Sequence, residues 1–284
     1  MVISMKLKKK TIALVILLTV AAALTSFTLW GNKALVTDTY IIESEKLSTT
    51  FDGYKIAQVS DLHNDEIGKN NKRLINALKK AEPDIIVITG DLIDSRNTDV
   101  DIAVNFVKEA IKIAPCYYAN GNHESRIPDD YTLLKSTLEP LGVTILENKA
   151  VTLSKNNDEI NIIGVIDPDF HLDNSGITTS NTLRTLRTND NFTILLSHRP
   201  ELFDVYVENN IDLVFSGHAH GGQFRLPFIG GLYAPHQGAF PEYDCGLYTD
   251  NNTNMIVSRG IGNSIFPVRF NNRPQLVIAT LKAN

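Results

Sequence analysis

Ile85-Ile86-Val87-Ile88-Thr89-Gly90-Asp91-Leu92-Ile93-Asp94 runs from an unbroken apolar stretch into a Gly-Asp pair and a second acid. Such a run bounded by glycine reads as a buried strand and its exit turn. The same arrangement stands upstream, where Ile56 to Val59 precedes Ser60-Asp61-Leu62-His63, and downstream, where Cys116 to Ala119 precedes Asn120-Gly121-Asn122-His123-Glu124. Between these strands lie helical patterns. Leu74, Ile75 and Leu78 recur at helical spacing until Pro83, and Ile102, Phe106, Val107 and Ala110 form a second stripe. Strand and helix alternate, so residues 54 to 119 read as a βαβαβ unit with a parallel sheet.

Farther out, the stretch from Val143 to Ile166 carries closely spaced short strands around Asn156-Asn157-Asp158, a hairpin meander that makes the sheet mixed. A helix over Thr179 to Arg187, a strand over Phe192 to Leu196, a short helix around Leu202 to Val207 and a strand over Ile211 to Phe215 follow. Met255 to Val257 and Leu276 to Leu281 are again strand-like. The Gly, Pro and aromatic residues between Gly221 and Pro241 mark a long ordered loop, and residues 31 to 53 read as a polar linker with strand character at Tyr40, Ile41 and Ile42.

Five of these strands end in polar clusters: Asp61-Leu62-His63, Gly90-Asp91 with Asp94, Gly121-Asn122-His123-Glu124, Ser197-His198, and Gly217-His218-Ala219-His220. Each alone is an ordinary turn or a hydrogen-bonded histidine. Together they hold five of the seven histidines, each cluster at a strand's carboxyl end, where open α/β sheets bind ligands. Residues i and i+2 leaving a strand point to one side, which lets Asp61 converge with His63 and His218 with His220. Carboxylate, imidazole and amide donors in this number match what a pair of metal ions requires.

The remaining composition narrows the alternatives. The net charge is −5, and the first thirty residues contribute Lys6, Lys8, Lys9 and Lys10 without an acid, so the rest is more acidic still. Such a surface does not favour general nucleic-acid binding. Cys116 and Cys245 are too few for a disulfide framework or a thiolate zinc site. Thr11 to Trp30 holds no charge and is long enough to cross a bilayer, with the lysines on the cytoplasmic side and everything after Trp30 on the outer side. The competing reading is a signal peptide cut near Ala21-Ala22-Ala23, giving a secreted protein.

These ordered motifs resemble those of the calcineurin-like metallophosphoesterase superfamily from about Tyr54 to Leu281. The run Gly217 to Gln223 with Arg225-Leu226-Pro227, together with Arg259-Gly260-Ile261-Gly262 and Pro267-Val268-Arg269-Phe270, is similar to a bacterial branch with an N-terminal membrane segment. The resemblance implies a four-layer αββα sandwich of two mixed β-sheets flanked by helices, spanning residues 54 to 284. It also implies two divalent metal ions. Asp61, His63, Asp91 and His220 would hold one, and Asp91, Asn122, His198 and His218 the other. Mixed nitrogen and oxygen donors suit Mn, Fe or Zn. A hydroxide shared by the metals would attack phosphorus, with His123 standing over the substrate to assist the leaving group. Asp94 is expected to orient His123 or a ligand, Arg126 and Arg199 are candidate phosphate contacts, and His171 and His236 are expected on the surface or in loops.

A metallo-β-lactamase-type hydrolase would need a His-x-His-x-Asp-His run, and two glycines follow His218-Ala219-His220 instead. The non-enzymatic alternative is a surface protein that keeps the metals and only binds an anion. Within the phosphoesterases the expected substrate is a phosphodiester, lipid- or cell-wall-linked; a nucleotide-sugar or lipid-linked pyrophosphate, or a phosphomonoester, is the alternative.

Overall fold

The computed structural model describes residues 2–172, 176–263 and 266–284, with side chains from residue 10 onward. Helix α1 (Val2–Gly31) leads into strand β1 (Val36–Ser44), followed by β2 (Lys55–Val59), α2 (Lys72–Ala81), β3 (Ile85–Thr89), α3 (Val100–Ala110) and β4 (Cys116–Ala119). The single-turn α4 (Asn122–Ser125), α5 (Pro128–Leu138), β5 (Thr144–Ile145), β6 (Lys149–Lys155), β7 (Asp158–Gly164) and α6 (Ile177–Leu186) come next. The chain continues through β8 (Thr193–Leu196), α7 (Phe203–Glu208) and β9 (Leu213–Ser216). Two short ribbons follow, pairing β10 (Arg225–Leu226) with β11 (Gly230–Gly231) and β12 (Tyr233–Ala234) with β13 (Gly238–Ala239). Strands β14 (Gly246–Asp250), β15 (Thr253–Val257) and β16 (Gln275–Ala283) complete it.

Two six-stranded sheets face each other, ordered β1-β16-β2-β3-β4-β5 and β14-β15-β9-β8-β7-β6. The strands β2 to β5 run parallel, as do β7, β8, β9 and β15, while β16, β14 and β6 are antiparallel to inner neighbours. The alternation of side chains builds the layers. In β3, Ile85 and Val87 face the second sheet, whereas Ile86 and Ile88 pack with Leu74 and Leu78 of α2 and Phe106 of α3. In β9, Leu213 and Phe215 point to the first sheet and Val214 points to Leu183 of α6 and Tyr206 of α7. A strand buried on both faces needs an apolar residue at every position, which is why these runs are continuous instead of alternating. The result is the expected helix-sheet-sheet-helix sandwich.

Two stretches are more tightly organised than the sequence indicates. Residues 31–53, read as a linker with strand character at Tyr40, Ile41 and Ile42, carry β1 through those residues: it pairs in parallel with β16 along nine residues, and Ile42, Leu47 and Phe51 are buried between the sheets. The Gly221 to Pro241 loop is organised by the two ribbons, in which Gly222, Gly231 and their neighbours pack backbone against backbone. Lys10–Gly31 is one helix long and apolar enough to cross a membrane, and Ile12, Leu14, Ile16 and Leu18 on it are exposed.

Phe215 is fully buried at the centre of the inter-sheet layer. Phe215→Ala is expected to destabilise the protein by about 3–5 kcal/mol, read as a lower urea midpoint for the full chain in detergent; a shift under 1 kcal/mol would mean that the two sheets are not held by that layer.

Candidate metal centre

The carboxyl ends of β2, β3 and β4 meet those of β8 and β9 across the sandwich, and buried polar bonds set their alignment. Gln58 Nε2 donates to Thr89 Oγ1 at 2.9 Å and to the Ser216 carbonyl at 2.8 Å. His198 Nδ1 lies 2.7 Å from the Thr89 carbonyl, and the His218 amide donates to Asp61 Oδ1 at 3.1 Å. Glycine is required where the two loops touch. A Cβ on Gly90, whose φ is +86°, would stand 2.5 Å from His198 Nδ1, and one on Gly217 would collide with Ser60 Oγ and the Asp61 carboxylate.

Every sequence-predicted ligand is buried and close to the others. One ligand atom each from Asp61, His63, Asp91 and His220 falls within 4.8 Å of the rest, and Asp91, His198 and His218 form a second such group, so that Asp91 belongs to both. His63 Nε2 is 3.1 Å from His220 Nε2 and 3.5 Å from Asp91 Oδ2, while His198 Nε2 is 3.2 Å from the same Asp91 oxygen. Asn122 begins α4 beside this second group, and its buried Oδ1 has no hydrogen-bond partner, nor has His198 Nε2. Asp61, His63, Asp91, His218 and His220 all have φ between 48° and 66°. Left-handed backbone at five non-glycine residues stores strain, of order 1–3 kcal/mol each, that a functional site is the usual place to find.

The electrostatics agree with the geometry. Burial, reinforced by Arg199 for His218 and by His63 for His220, holds both imidazoles well below their ordinary pKa, in the neutral form that binds metal. Burial would push His198 down too, but Asp91 and Asp61 hold it up at about 10. Carboxylates that favour positive charge on His198 would favour a divalent ion between them as well. The orphaned Asn122 Oδ1 and His198 Nε2, the two imidazoles held neutral, and carboxylates whose ion-pair partners among the described residues are histidines alone together make a donor set that fits two metal ions.

Residues around the cluster hold it in place. Asp94 lies 3.3 Å from His63 Nδ1 and closer still to Arg96. Burial would raise the Asp94 carboxyl, yet hydrogen bonds from His63 and Arg96 hold it well below the usual carboxylate range. Glu124, the last residue of the Gly121-Asn122-His123-Glu124 cluster, is fully buried beneath Asp91. Its carboxylate accepts the backbone N–H groups of Asp91, Leu92, Ile93 and Gly121, at 3.0, 2.7, 3.3 and 2.8 Å, tying the β3 and β4 exit loops together. His123 lines a small cavity of about 50 Å³ with Asp91, Asn122, Arg126, His218, His220 and Pro235. The Ser95 amide donates to His123 Nδ1 at 3.0 Å, so Nδ1 is an acceptor and Nε2 carries the ring's proton.

The two arginines separate. Arg126 is half exposed at the mouth of that cavity, with one ion pair to Asp169 at 3.4 Å. Arg199 is fully buried and forked onto both Asp167 oxygens at 2.6 and 2.7 Å, and its Nη1 lies 3.4 Å from His218 Nε2. His171 is exposed as expected. His236 is an exposed loop residue as expected, and the loop brings it to the site: its Nδ1 lies 2.9 Å from His218 Nε2 and 2.7 Å from Arg199. No spacing signal in the glycine-rich loop could have revealed this, because β12, β13 and their turn alone carry it back over His218.

A layered α/β sandwich with one aspartate shared between two histidine-rich groups at its sheet edge defines the class of a two-metal hydrolase. The chain matches the family described as calcineurin-like phosphoesterase over residues 54–222 and belongs to it; the family binds a dinuclear metal centre. It is 32% identical to the uncharacterized metallophosphoesterase YkuE of Bacillus subtilis over 87% of this chain and 85% of that protein. It is 26% identical to the phosphodiesterase YaeI of Escherichia coli, over 70% and 71% of the two chains. Among solved structures, TT1561 of Thermus thermophilus shares the fold with a TM-score of 0.51 and 12% identity, over 73% of this chain and 90% of that one.

Glu124→Gln puts an amide NH2 where the carboxylate accepts backbone N–H groups. It is expected to weaken metal binding by about 10-fold or more and to lower the melting temperature; metal titration and calorimetry of the purified variant check this, and unchanged affinity would remove Glu124 from its positioning role.

Proposed function

We propose that this protein is a membrane-anchored, metal-dependent phosphodiesterase whose active site is the Asp91-centred cluster. The observation that carries the reading is the double membership of Asp91, with a complete set of buried donors on each side. Asp61, His63, Asp91 and His220 would hold one ion, and Asp91, Asn122, His198 and His218 the other. The mixed nitrogen and oxygen set favours Mn, Fe or Zn. When bound, such a pair supplies charge stabilisation at the phosphoryl oxygens and a water acidified toward neutrality as nucleophile.

The chain's own residues account for the rest of the reaction. Water oxygen forms a new bond to phosphorus as the bond to the departing alkoxide oxygen breaks, so one proton must end on the alcohol product. The attacking water supplies that proton, while His123 stands over the cavity with Nε2–H on the side of the ring away from Ser95, positioned to hydrogen-bond the departing oxygen and steady its charge. Burial first, partly offset by Asp91, brings His123 to about 4, consistent with a neutral donor ring. Arg126 at the cavity mouth is the candidate contact for a phosphate oxygen. A diester is favoured over a monoester because the cavity offers one half-exposed arginine and no second free cation among the lining residues. The similarity to a phosphodiesterase supports the same choice.

Lys6, Lys8, Lys9 and Lys10, in the first turns of α1 ahead of its apolar stretch, favour a cytoplasmic start and a catalytic domain on the outer side. Protease added to intact cells should remove the domain and spare it in inverted vesicles; the opposite pattern would reverse the orientation, and a mature chain starting near Leu24 would establish cleavage instead.

Hydrolysis of bis(p-nitrophenyl) phosphate by the full chain should require added Mn or Zn and disappear with chelator, and chelator-insensitive turnover would contradict the mechanism. His123→Ala is expected to retain both metals and lose roughly 100-fold in turnover, with a larger loss for alkyl than for nitrophenyl leaving groups. Equal losses for both leaving groups would remove His123 from the departing oxygen.

A further inference from the structure

A cleft of about 1050 Å³ joins the metal centre to the anchor helix. One wall is apolar, formed by Leu24 and Leu29 of α1 with Val268 and Phe270; His63 and Asp94 lie at the other end. His63 is thus shared by the cleft and the candidate metal site. The helix is fixed in this position instead of swinging on a tether. Asn32 exchanges two hydrogen bonds with the Arg269 backbone, both at 2.8 Å, and Lys33 pairs with Asp65 at 2.5 Å. Phe27 packs edge-on against Phe270 at 6.1 Å, and the Arg273 guanidinium sits 5.0 Å over the Trp30 ring. An anchor that served only to retain the domain would need none of these contacts.

The register of this cleft with a bilayer decides what enters it. Lys10–Gly31 is 22 residues, about 33 Å at 1.5 Å per residue, close to the roughly 30 Å hydrocarbon thickness. Leu24 to Leu29 therefore lie in the last two turns, inside the leaflet next to the domain, while His63 and Asp94 lie beyond the helix end at head-group level. A bilayer lipid has the same layout, with hydrocarbon first and phosphoester above it. The exposed aromatic face continues on this side. Phe224 contacts Phe266 at 6.0 Å, Arg225 N–H bonds the Phe270 carbonyl at 3.0 Å, and the neighbouring ribbon leaves Phe228 and Ile229 in solvent. Exposed large apolar residues grouped beside a membrane helix belong in the interfacial layer.

We infer that this cleft receives a hydrocarbon chain of a membrane phospholipid and delivers its phosphodiester to the metal centre, so that the last two turns of the anchor helix are a part of the substrate site. The inference rests on the phosphodiesterase reading above. Substrate then reaches the metals sideways from the leaflet, and soluble diesters enter from the small cavity lined by His123 and Arg126. Chain burial along Leu24, Leu29, Val268 and Phe270 supplies affinity that a soluble diester lacks.

The test uses the full chain in nanodiscs of palmitoyl-oleoyl phosphatidylglycerol with added Mn. Thr28→Trp and, independently, Val268→Trp fill the cleft, and Leu14→Trp, on the exposed helix outside it, is the control. Both cleft variants are expected to cleave the phospholipid at least 10-fold more slowly than wild type, while turnover of bis(p-nitrophenyl) phosphate changes less than 3-fold and Leu14→Trp changes neither. A readout free of catalysis accompanies this. Native mass spectrometry of Asp91→Asn released from the nanodiscs should show one retained phosphatidylglycerol, lost when Thr28→Trp is added. If wild type cleaves the soluble diester but neither cleaves nor retains the lipid, the cleft inference is overturned and the phosphodiesterase reading stands. Equal losses on both substrates in both cleft variants would likewise overturn it. If wild type cleaves neither substrate with metal present, the phosphodiesterase reading itself fails.

Discussion

Asp61 and Asp91 are buried acids whose ion-pair partners, among the described residues, are histidines alone. Taking two carboxylates out of water costs several kcal/mol each unless positive charge stands against them. That demand organises the molecule. It explains why five neighbouring residues accept left-handed backbone, why glycines stand where any Cβ would strike Asp61, Asp91 or His198, and why Glu124 spends its whole acceptor capacity on backbone N–H groups beneath Asp91. A stable fold would have no use for such a concentration of strain and desolvation; a cation pair gives it one.

The two-sheet architecture follows from the same demand. Three clusters hang from one sheet and two from the other, so neither sheet alone can surround Asp91. The Gln58 and His198 bonds to Thr89, with the apolar layer of Ile56, Val87, Ile194 and Phe215 behind them, hold both carboxyl edges at one spacing. Core packing and site geometry are in this sense one problem: the inter-sheet residues fix the distance at which the ligands meet. The outer partners Asp94 and His236 then aim the rings of His63 and His218.

Most of this site was legible in sequence because buried parallel strands announce themselves as apolar runs, and a polar residue just past such a run has only one place to go. The shared carboxylate, the paired histidines two residues apart and the adjoining glycines all follow from that rule. His236, Glu124 and β1 escaped it for physical reasons. His236 reaches the site through the fold of a ribbon, and ribbon geometry leaves no periodic trace. Glu124 acts on main-chain donors, which any sequence possesses. Strand β1 showed as strand character at Tyr40, Ile41 and Ile42, but it lies at a sheet edge with only Ile42 buried, so its full length and its pairing with β16 did not show. The lateral cleft is further removed still, since it depends on how Phe27 of α1 and the adjoining Asn32 seat against Phe270 and Arg269, contacts between residues more than two hundred positions apart.

The central claim is that two cations, not protons, balance the buried carboxylates on either side of Asp91. Crystals of the full chain grown with Mn and measured at the Mn absorption edge test it most directly. The account predicts two anomalous peaks, about 3.5–4 Å apart, with Asp91 between them, Asp61, His63 and His220 around one and Asn122, His198 and His218 around the other. A single peak, or two peaks that do not share Asp91, would contradict it.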